Sequence, residues 1–416
     1  MPTQTPDQAL RDFIGGAHSR APFASLGVAV SGGGDSMALL HLVRDWATAQ
    51  DVAVHAVTVD HGLRDGSGDE AAMVAETCAA LNVPHATLRW GGWDKRGNLQ
   101  DAARQARYAL ITDWARGRVD AVALGHTQDD QAETFLMRLA RGSGVDGLSA
   151  MRADWQADGL RWLRPLLTTR RAALRDVLEG RGVIWAEDPS NDDTRFDRVK
   201  ARRALEGLAD LGLDAPRLAQ TATRMTHARD ALERHAQVAA KKICTVLAGD
   251  VVFDLDTLTA QPFETQTRLL AHALMWVTAS PYRPRQEALY ETLAMVAGGD
   301  RRTLHGCLIE GDLDQIRISR EYNAVRDKVI APGGLWDSRW TLIGPDQDVD
   351  IRALGDAVSD CPDWRDTGLT RRSLMATPAV WRGANLVAAP LAGLENGWSA
   401  KIAHPPGHFF TSILSH

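Results

Sequence analysis

Cysteine is scarce in this chain, and the cysteines that are present lie far apart. The 416 residues contain no Cys-x-x-Cys pair, so the spacing fits neither a disulfide scaffold nor a zinc site and indicates a reducing compartment. An apolar run of about 20 residues, the length of a membrane span, is also missing, and the first residues lack a signal-peptide pattern. We therefore expect a cytoplasmic protein without a membrane partner. The four cysteines are Cys78, Cys244, Cys307 and Cys361.

Positive charge is in deficit overall but not locally. The net charge is −6 at pH 7, yet residues 161–203 contain eleven lysines and arginines against seven aspartates and glutamates. Such a cluster can meet a phosphate backbone, although solvated, salt-bridged helix faces would have the same composition. The charge pattern leaves both interpretations open. The basic residues include Arg161, Arg164, Arg170, Arg171, Arg175, Arg198, Lys200, Arg202 and Arg203.

A lysine is missing where a nucleotide-binding loop of the Walker type would have one. Residues 31–36 read Ser-Gly-Gly-Gly-Asp-Ser and follow an apolar run at 26–30. Glycines let a backbone approach a polyphosphate, and the helix predicted to follow adds its positive dipole end. We predict that this loop binds phosphate and that Asp35 holds a Mg²⁺ ion bridging to the phosphate oxygens. The predicted ligands are Ser31, Gly32, Gly33, Gly34, Asp35 and Ser36.

The alternative for residues 31–36 is a glycine-rich turn in which Asp35 or Ser36 only caps a helix. The complete six-residue pattern directly after a strand favours phosphate binding. The run resembles the Ser-Gly-Gly-x-Asp-Ser signature of the PP-loop ATP pyrophosphatases. This resemblance implies that ATP is the nucleotide, that it is split between its α and β phosphates, and that a substrate is adenylated.

The first 130 residues alternate between strand and helix patterns. Apolar runs at 27–30, 52–59, 85–90 and 121–125 predict buried parallel strands, and amphipathic stretches lie between them. This rhythm predicts an α/β fold with a doubly wound parallel sheet, whose ligands lie beyond the carboxyl ends of the strands. Three polar clusters follow these ends, at residues 31–36, 60–64 and 125–130, and we expect them to converge on one crevice.

The pattern changes beyond residue 148. An Arg-rich, mostly helical connector is expected to reach about residue 213, and three helical stretches follow at 217–246, 264–277 and 285–297. From residue 301 the pattern becomes strand-like and is broken by Gly, Pro and Asp. We therefore predict an adenylating domain with its connector at 1–213, a helical domain at 214–299, and a small β-rich C-terminal domain at 300–416.

A second polar cluster opens the helix predicted after the fourth strand. His126, Asp130 and Glu133 share one helix face, and Asp129 lies one step around it. Such a face can hold a cationic nucleophile, take its proton or bind a metal. A capping box explains Thr127 and Asp130 equally well, but it explains little about His126 and Glu133. We predict site roles for these residues and a capping role for Thr127.

Two further clusters give weaker signals. Asp60 and His61 follow the second strand and are predicted to contact the sugar or base of a nucleotide, although a turn with a capping Asp is the alternative. Arg104 and Arg107 lie with Tyr108 near one helix face, where arginines can reach anionic groups. A solvated basic face with a half-buried tyrosine is the alternative there.

The motifs together resemble those of the tRNA(Ile)-lysidine synthases, a family of PP-loop enzymes. After the loop come Val-Asp-His-Gly-Leu-Arg at 59–64 and Ala-Arg-x-x-Arg-Tyr at 103–108. A His-x-x-x-Asp-Gln-x-Glu-Thr helix followed by Arg-Gly-x-Gly-x-x-Gly-Leu matches 126–148. Arg-Pro-Leu-Leu at 164–167 and Glu-Asp-Pro-Ser-Asn at 187–191 complete the series. The resemblance spans residues 25–203.

The resemblance implies a ligase that forms a carbon–nitrogen bond. ATP would adenylate the C2 oxygen of the wobble cytidine in an isoleucine tRNA with the anticodon CAU, and the ε-amine of free L-lysine would displace AMP. Asp35 with Mg²⁺ would neutralise the leaving pyrophosphate, and His126 would contact phosphate or transfer a proton. The residues that we expect to contact tRNA or lysine are Arg104, Arg107, Asp129, Asp130, Glu133, Arg164, Arg198, Arg202 and Arg203.

The sequence differs from the family pattern in two places. Val199 replaces the asparagine that the family usually has before the next arginine, and the C-terminal region lacks the family's usual tRNA-gripping pattern. The alternatives are another PP-loop enzyme, such as a tRNA thiolase, and a non-catalytic protein that binds nucleotide or RNA. The dispersed cysteines disfavour sulfur insertion, and the intact polar residues of the loop disfavour a protein without catalysis.

Overall fold

The computed structural model describes residues 4–62, 66–93, 99–187, 195–296 and 298–414. It divides into two compact units, Met1–Arg229 and Asp230–His416. Within the described residues, no helix is both long and apolar enough to cross a membrane.

The first unit is built on alternating strands and helices, as the sequence predicts. Its elements are α1 (Pro6–Arg20), β1 (Ser25–Ala29), α2 (Gly34–Gln50), β2 (Ala53–Asp60), α3 (Ser67–Ala80), β3 (His85–Arg89), α4 (Leu99–Ala115), β4 (Ala121–Leu124), α5 (Gln128–Ala140), α6 (Val145–Leu148), β5 (Asp154–Ala157), β6 (Leu160–Leu163), α7 (Arg171–Gly180), α8 (Asp197–Leu208) and α9 (Ala215–Ile243), which extends into the second unit.

A six-stranded sheet forms the centre of this unit, in the order β3-β2-β1-β4-β6-β5. All neighbouring pairs are parallel except β5 and β6. The strand order reverses between β1 and β4, and in such sheets ligands bind beyond the carboxyl ends of the strands at this switch point. The loops that follow β1 and β4 carry residues 31–36 and 125–130. The predicted doubly wound sheet is confirmed.

The core of the sheet explains why its strands have continuous apolar sequences. Leu26 and Val28 of β1 are fully buried, as are Leu39 and Leu40 of α2 and Leu10 of α1. Helices cover both faces of a parallel sheet, so each strand needs apolar side chains in both directions. The packing fixes the ends of β1 and α2, and these ends in turn fix the loop between them.

The connector after residue 148 is less helical than we expected. It contributes β5 and β6 to the sheet, joined by Asp158 and Gly159 with φ values of 52° and 75°. An Asp-Gly pair between apolar residues is a hairpin signal, because both positions need a positive φ. Trp162 and Leu163 of this hairpin are almost fully buried.

The second unit combines helices and antiparallel strands. Its five-stranded sheet has the order β7-β8-β11-β10-β9, and Leu269 and Leu274 of α11 pack in one core with Val251, Ile309 and Ile318 of the strands. The elements are β7 (Cys244–Leu247), β8 (Asp250–Asp254), α10 (Leu255–Thr259), α11 (Phe263–Thr278), α12 (Gln286–Val296), β9 (Arg301–Leu304), β10 (Cys307–Gly311), β11 (Gln315–Arg320), β12 (Trp340–Ile343), β13 (Asp350–Ala353), α13 (Arg371–Met375), β14 (Pro378–Arg382), β15 (Asn385–Ala388), β16 (Ser399–Ile402) and α14 (Pro406–Ser412).

The predicted three-domain division stays a prediction. The expected helical segment at 214–299 contains α9, α11 and α12, but it also contains β7 and β8. These two strands belong to the same sheet as β9, β10 and β11, which follow residue 300. Within the second unit, the helical and β-rich segments therefore share a sheet and a core.

Gly125 lies where the segments that follow β1 and β4 approach each other closely. A Cβ at this position would lie 3.1 Å from Cα of Ser36 and 3.2 Å from the carbonyl oxygen of Asp35. Backbone in the first turn of a helix cannot retreat easily, so we expect Gly125→Ala to reduce the free energy of unfolding by about 1–3 kcal/mol, measured by urea denaturation.

Gly207→Ala is the matched control, because Gly207 lies inside α8 and, apart from its chain neighbours and the adjacent backbone of the helix, no atom lies within 4 Å of an added Cβ. We expect this variant to be unchanged or more stable by up to about 1 kcal/mol. Equal losses in both variants would show that the two loops are not in close contact.

Candidate active site

The loop at residues 31–36 is folded by its own hydroxyl groups. The backbone N–H of Ser31 donates to Oγ of Ser36 at 3.1 Å, and this Oγ donates to the carbonyl of Gly33 at 2.9 Å. Gly32 has a φ of 89°, which favours glycine. Gly33 precedes α2 and no side chain caps this helix. The positive end of a long helix is thereby left for an anion.

A distant segment supports this loop from the side. The N–H of Ala186 donates to the carbonyl of Gly32 at 2.9 Å, and a Cβ on Gly34 would lie 3.4 Å from the ring of Trp185. These residues directly precede the Glu-Asp-Pro-Ser-Asn motif, of which residues 188–191 lie outside the described residues. The loop is therefore held by tertiary contacts as well as by its own hydrogen bonds.

Arg171 joins the loop at residues 31–36, named here the phosphate loop for its predicted ligand, to the acidic face of α5 formed by Asp130 and Glu133. Its Nε donates to Asp35 at 2.9 Å, one Nη donates to Glu133 at 3.1 Å, and the other donates to Asp130 at 3.2 Å. Asp35 lies at the end of the loop in the first turn of α2, whereas Asp130 and Glu133 belong to α5. One guanidinium group therefore contacts all three predicted catalytic carboxylates.

The electrostatics of this cluster follow from burial and from Arg171. Burial raises the pKa of the Asp35 carboxyl, an effect that Arg171 opposes without cancelling it. Burial acts in the same direction on Asp130, but Arg171 and the N–H of Thr127 hold the pKa of this carboxyl below its usual value. Burial lowers the pKa of Arg171, yet its carboxylate partners outweigh burial and raise this pKa above its usual range.

Glu133 is the most deeply buried of the carboxylates. The residue is 1 % exposed, and its Oε1 accepts hydrogen bonds from Arg171 and from Arg202, each at 3.1 Å. Its Oε2 is buried and has no partner among the described residues. A buried acceptor without a donor costs roughly 1–3 kcal/mol, so this oxygen would gain from a donor on a bound ligand.

Asp130 and Asp129 also make hydrogen bonds that stabilise the local backbone. Thr127 and Asp130 form a capping box, in which the N–H and hydroxyl of Thr127 both donate to Oδ2 of Asp130 at 2.8 Å. The capping prediction is therefore confirmed, while the other carboxylate oxygen of Asp130 contacts Arg171. Asp129 accepts from the backbone N–H of Arg171 at 2.7 Å and pairs with the Arg170 side chain.

His126 and Arg164 form a second contact beside the carboxylates. Nε of Arg164 donates to Nδ1 of His126 at 3.2 Å. Burial, followed by the Arg164 charge, lowers the pKa of His126 to about 3. Arg164 is only 7 % exposed, so the structure places this predicted substrate contact inside the protein, next to another predicted site residue.

Asp60 and His61, which follow β2, make contacts within the turn and with a neighbouring ring. The N–H of Gly62 donates to Asp60 at 2.9 Å, and hydrogen bonds from Ser67 and Gly62 lower the pKa of this carboxyl. The His61 ring packs edge-on against Trp90, with 6.0 Å between centroids, and burial lowers its pKa. The turn alternative thus explains Asp60, and nucleotide contacts by Asp60 and His61 stay predictions. The motif's last residue, Arg64, lies outside the described part of the chain.

The other predicted arginines lie on α4 and α8. Arg104 lies 5.4 Å from the ring centroid of Tyr108, and burial lowers the pKa of Arg107, with the charges of Arg104 and Arg198 acting in the same direction. Arg198 and Arg203 are exposed on α8, and Val199 is buried on the same helix. Contacts of these arginines with tRNA or lysine stay predictions.

Arg171 is the functional residue that sequence reasoning did not assign. The sequence places it only in the basic segment at 161–203. The available signal was its position as the first residue of α7, four positions after the Arg-Pro-Leu-Leu motif, from which two threonines and Arg170 separate it. Nothing in that local pattern identifies Asp35, 136 positions away, as its partner.

Comparison with known proteins identifies the class. Residues 6–207 match a family model described as a PP-loop domain. The parallel sheet, the uncapped helix after residues 31–33 and this match define a PP-loop ATP-binding protein.

Relatives then narrow the class to a family. The chain is 50% identical to a tRNA(Ile)-lysidine synthase of Ruegeria pomeroyi over 96% of this chain and 97% of the relative. It is 40% identical to that of a Bradyrhizobium species, over 72% of this chain and 91% of the relative. A U34-tRNA thiolase from Methanococcus maripaludis is a distant structural neighbour, with 15% identity and a TM-score of 0.45 over 53% of this chain and 76% of that chain. The chain belongs to the tRNA(Ile)-lysidine synthase family.

Arg171 and its sequence neighbour provide a matched test of the cluster. Arg171→Met would leave the buried carboxylates short of a cation, and we expect a loss of about 3–5 kcal/mol in the free energy of unfolding. Arg170→Met removes only the contact with Asp129 at a 44 % exposed side chain, so we expect a loss below about 1 kcal/mol. Urea denaturation of both variants measures the difference. Similar values for the two variants would contradict the central position of Arg171.

Proposed function

We propose that this chain ligates free L-lysine to C2 of the wobble cytidine in the CAU anticodon of an isoleucine tRNA, using ATP and releasing AMP and pyrophosphate. It acts as a carbon–nitrogen ligase in the cytoplasm. The observation that carries the proposal is the sharing of Arg171 by Asp35, Asp130 and Glu133. This sharing makes the phosphate loop and the acidic helix face parts of one site, as two successive half-reactions on one cytidine base require.

In the first half-reaction, the C2 oxygen of the cytidine attacks the α-phosphate of ATP and pyrophosphate leaves. The N–H groups at the start of α2 and the hydroxyl of Ser31 hold the phosphates. The Ser36 hydroxyl, which donates to the carbonyl of Gly33, instead holds the shape of the loop. Mg²⁺, when bound, neutralises charge on the leaving pyrophosphate. Asp35 fits as its protein ligand, because Mg²⁺ in such sites takes one or two carboxylates together with phosphate oxygens. The described residues hold no trio of His, Cys, Asp or Glu side chains arranged for a metal, so the phosphates would complete the coordination.

In the second half-reaction, the ε-amine of lysine attacks C2 and AMP leaves. Asp35, Asp130 and Glu133 face two guanidinium groups, those of Arg171 and Arg202. One negative charge remains in excess, which favours a third cation such as the lysine ammonium. The unpartnered Oε2 of Glu133 supplies an acceptor for it once the ammonium reaches this atom.

The exposed arginines of α8 lie on a surface that can bind the phosphate backbone of RNA. Arg198 and Arg203 are exposed, and with Arg104 on α4 they offer charge to a phosphate backbone. We assign the tRNA to this side of the first unit.

Sulfur transfer is the alternative with the least support. All four cysteines are buried and free. Burial raises the pKa of Cys78 to about 11 and those of Cys244 and Cys307 to about 12. A thiol needs a lowered pKa and access to its substrate in order to transfer sulfur.

The direct test incubates the protein with ATP, labelled L-lysine and an unmodified isoleucine tRNA transcript. We expect lysine-dependent AMP release and label in the tRNA at equal amounts. Label in a transcript whose wobble cytidine is changed to uridine, a product without lysine, or no AMP release would each contradict the proposal.

Asp35→Asn tests the predicted catalytic carboxylate in this assay. The change removes the charge that meets Mg²⁺ and Arg171, and we expect turnover to fall by at least about 100-fold, as for loss of one preorganised electrostatic contact. Asp45→Asn is the control, because Asp45 lies on the same helix and pairs with Arg181 at 2.8 Å. It should keep full turnover. An active Asp35→Asn variant would remove the metal role from Asp35.

A further inference from the structure

The tautomer of His126 is determined by its neighbour. Arg164 Nε lies 3.2 Å from His126 Nδ1, and a guanidinium group can donate hydrogen bonds but cannot accept them. Nδ1 must therefore be the acceptor. A neutral imidazole has one protonated nitrogen, so its hydrogen is on Nε2. The structure records no partner for this Nε2 among the described residues, which leaves its hydrogen available to a ligand.

Arg164 is itself held in place on several sides. One Nη donates to the carbonyl of Arg152 at 2.8 Å and the other donates to the hydroxyl of Tyr108 at 3.3 Å. The guanidinium carbon lies 4.1 Å from the ring centroid of Trp155. A guanidinium with this many partners, buried at 7 % exposure, is poorly placed to grip a phosphate backbone. Its position suits one task, which is to orient the histidine.

The charges that face His126 come from four elements. Arg164 follows β6, Arg107 lies on α4 and Arg198 lies on α8, and all three disfavour an imidazolium, whereas Asp130 on α5 favours it. Burial acts in the same direction as the arginines. The ring is therefore neutral at physiological pH, and it has no free basic nitrogen because Nδ1 is occupied.

We propose that Arg164 is a positioning residue that holds His126 as a neutral Nε2–H donor to phosphate oxygens in the adenylation step. The proposal rests on the proposed function and deepens it. His126 donates a hydrogen bond to charge that develops on the α-phosphate as its bond to pyrophosphate breaks. It neither gives up nor receives a proton in this step, in which the bond between the C2 oxygen and the α-phosphorus forms and the bond between that phosphorus and the pyrophosphate oxygen breaks.

The first test reads the tautomer without using turnover. ¹⁵N-labelled histidine in the full chain reports by NMR which ring nitrogen is protonated, and His126→Gln assigns the signals. We expect an unprotonated Nδ1 and a protonated Nε2 near neutral pH. Arg164→Met should give a tautomer mixture and a pKa nearer to that of free histidine, whereas Arg175→Met, at an exposed arginine of α7, should leave the signals unchanged.

A protonated Nδ1, or an imidazolium near neutral pH, in the wild-type chain would overturn the proposal. So would an unchanged tautomer in a folded Arg164→Met variant. These results do not depend on lysine ligation, so they are distinguishable from failure of the proposed function, which would appear as a wild-type chain that forms no lysine-dependent product.

The second test needs no change at Arg164 and therefore covers the case in which that variant does not fold. The glutamine amide can place an N–H near the position of Nε2–H, but asparagine is too short to do so. We expect kcat to fall by less than about tenfold in His126→Gln and by about 100-fold in His126→Asn, the loss typical for one oxyanion donor. Equal losses in the two variants would contradict a donor role for Nε2.

Discussion

The contact of Arg171 with three carboxylates is the interaction on which the site depends. Asp35 comes from the loop after β1, and Asp130 and Glu133 come from α5 after β4. Without a shared cation, these buried carboxylates would repel one another and carry a large desolvation cost. The guanidinium group compensates that cost and fixes the distance between the phosphate loop and the acidic face. The phosphate loop and the acidic face, which follow two separate strand ends, are thereby joined.

The sheet could be predicted from sequence because its signals are local. Buried parallel strands need continuous apolar runs, and the runs that precede Ser31 and His126 form β1 and β4 in the structure. The reversal of strand order between these strands then brings both polar loops to one edge. The capping box at Thr127 and Asp130 was predictable for the same reason, since its residues are three apart. The β5–β6 hairpin was missed although Asp158 and Gly159 gave a usable turn signal.

The partners of the site residues could not be predicted, because each residue is separated from its partner by many positions along the chain. Arg171 is 136 positions from Asp35, and Arg164 is 38 positions from His126. Composition showed a basic segment but gave no sign that two of its arginines point inward, one to carboxylates and one to a histidine. A basic residue that is buried and paired has the same sequence signature as one that meets RNA. Only the fold separates these two uses of arginine.

The most direct test of the account is the coupling free energy between Asp35 and Arg171. A double-mutant cycle with Asp35→Asn, Arg171→Met and the combined variant measures it through urea unfolding. Residues in one ion-pair network couple by about 0.5–3 kcal/mol, and because both side chains are about one-fifth exposed we expect a value of at least about 1 kcal/mol. A coupling within about 0.3 kcal/mol of zero would show that the loop and the acidic face are not joined by Arg171.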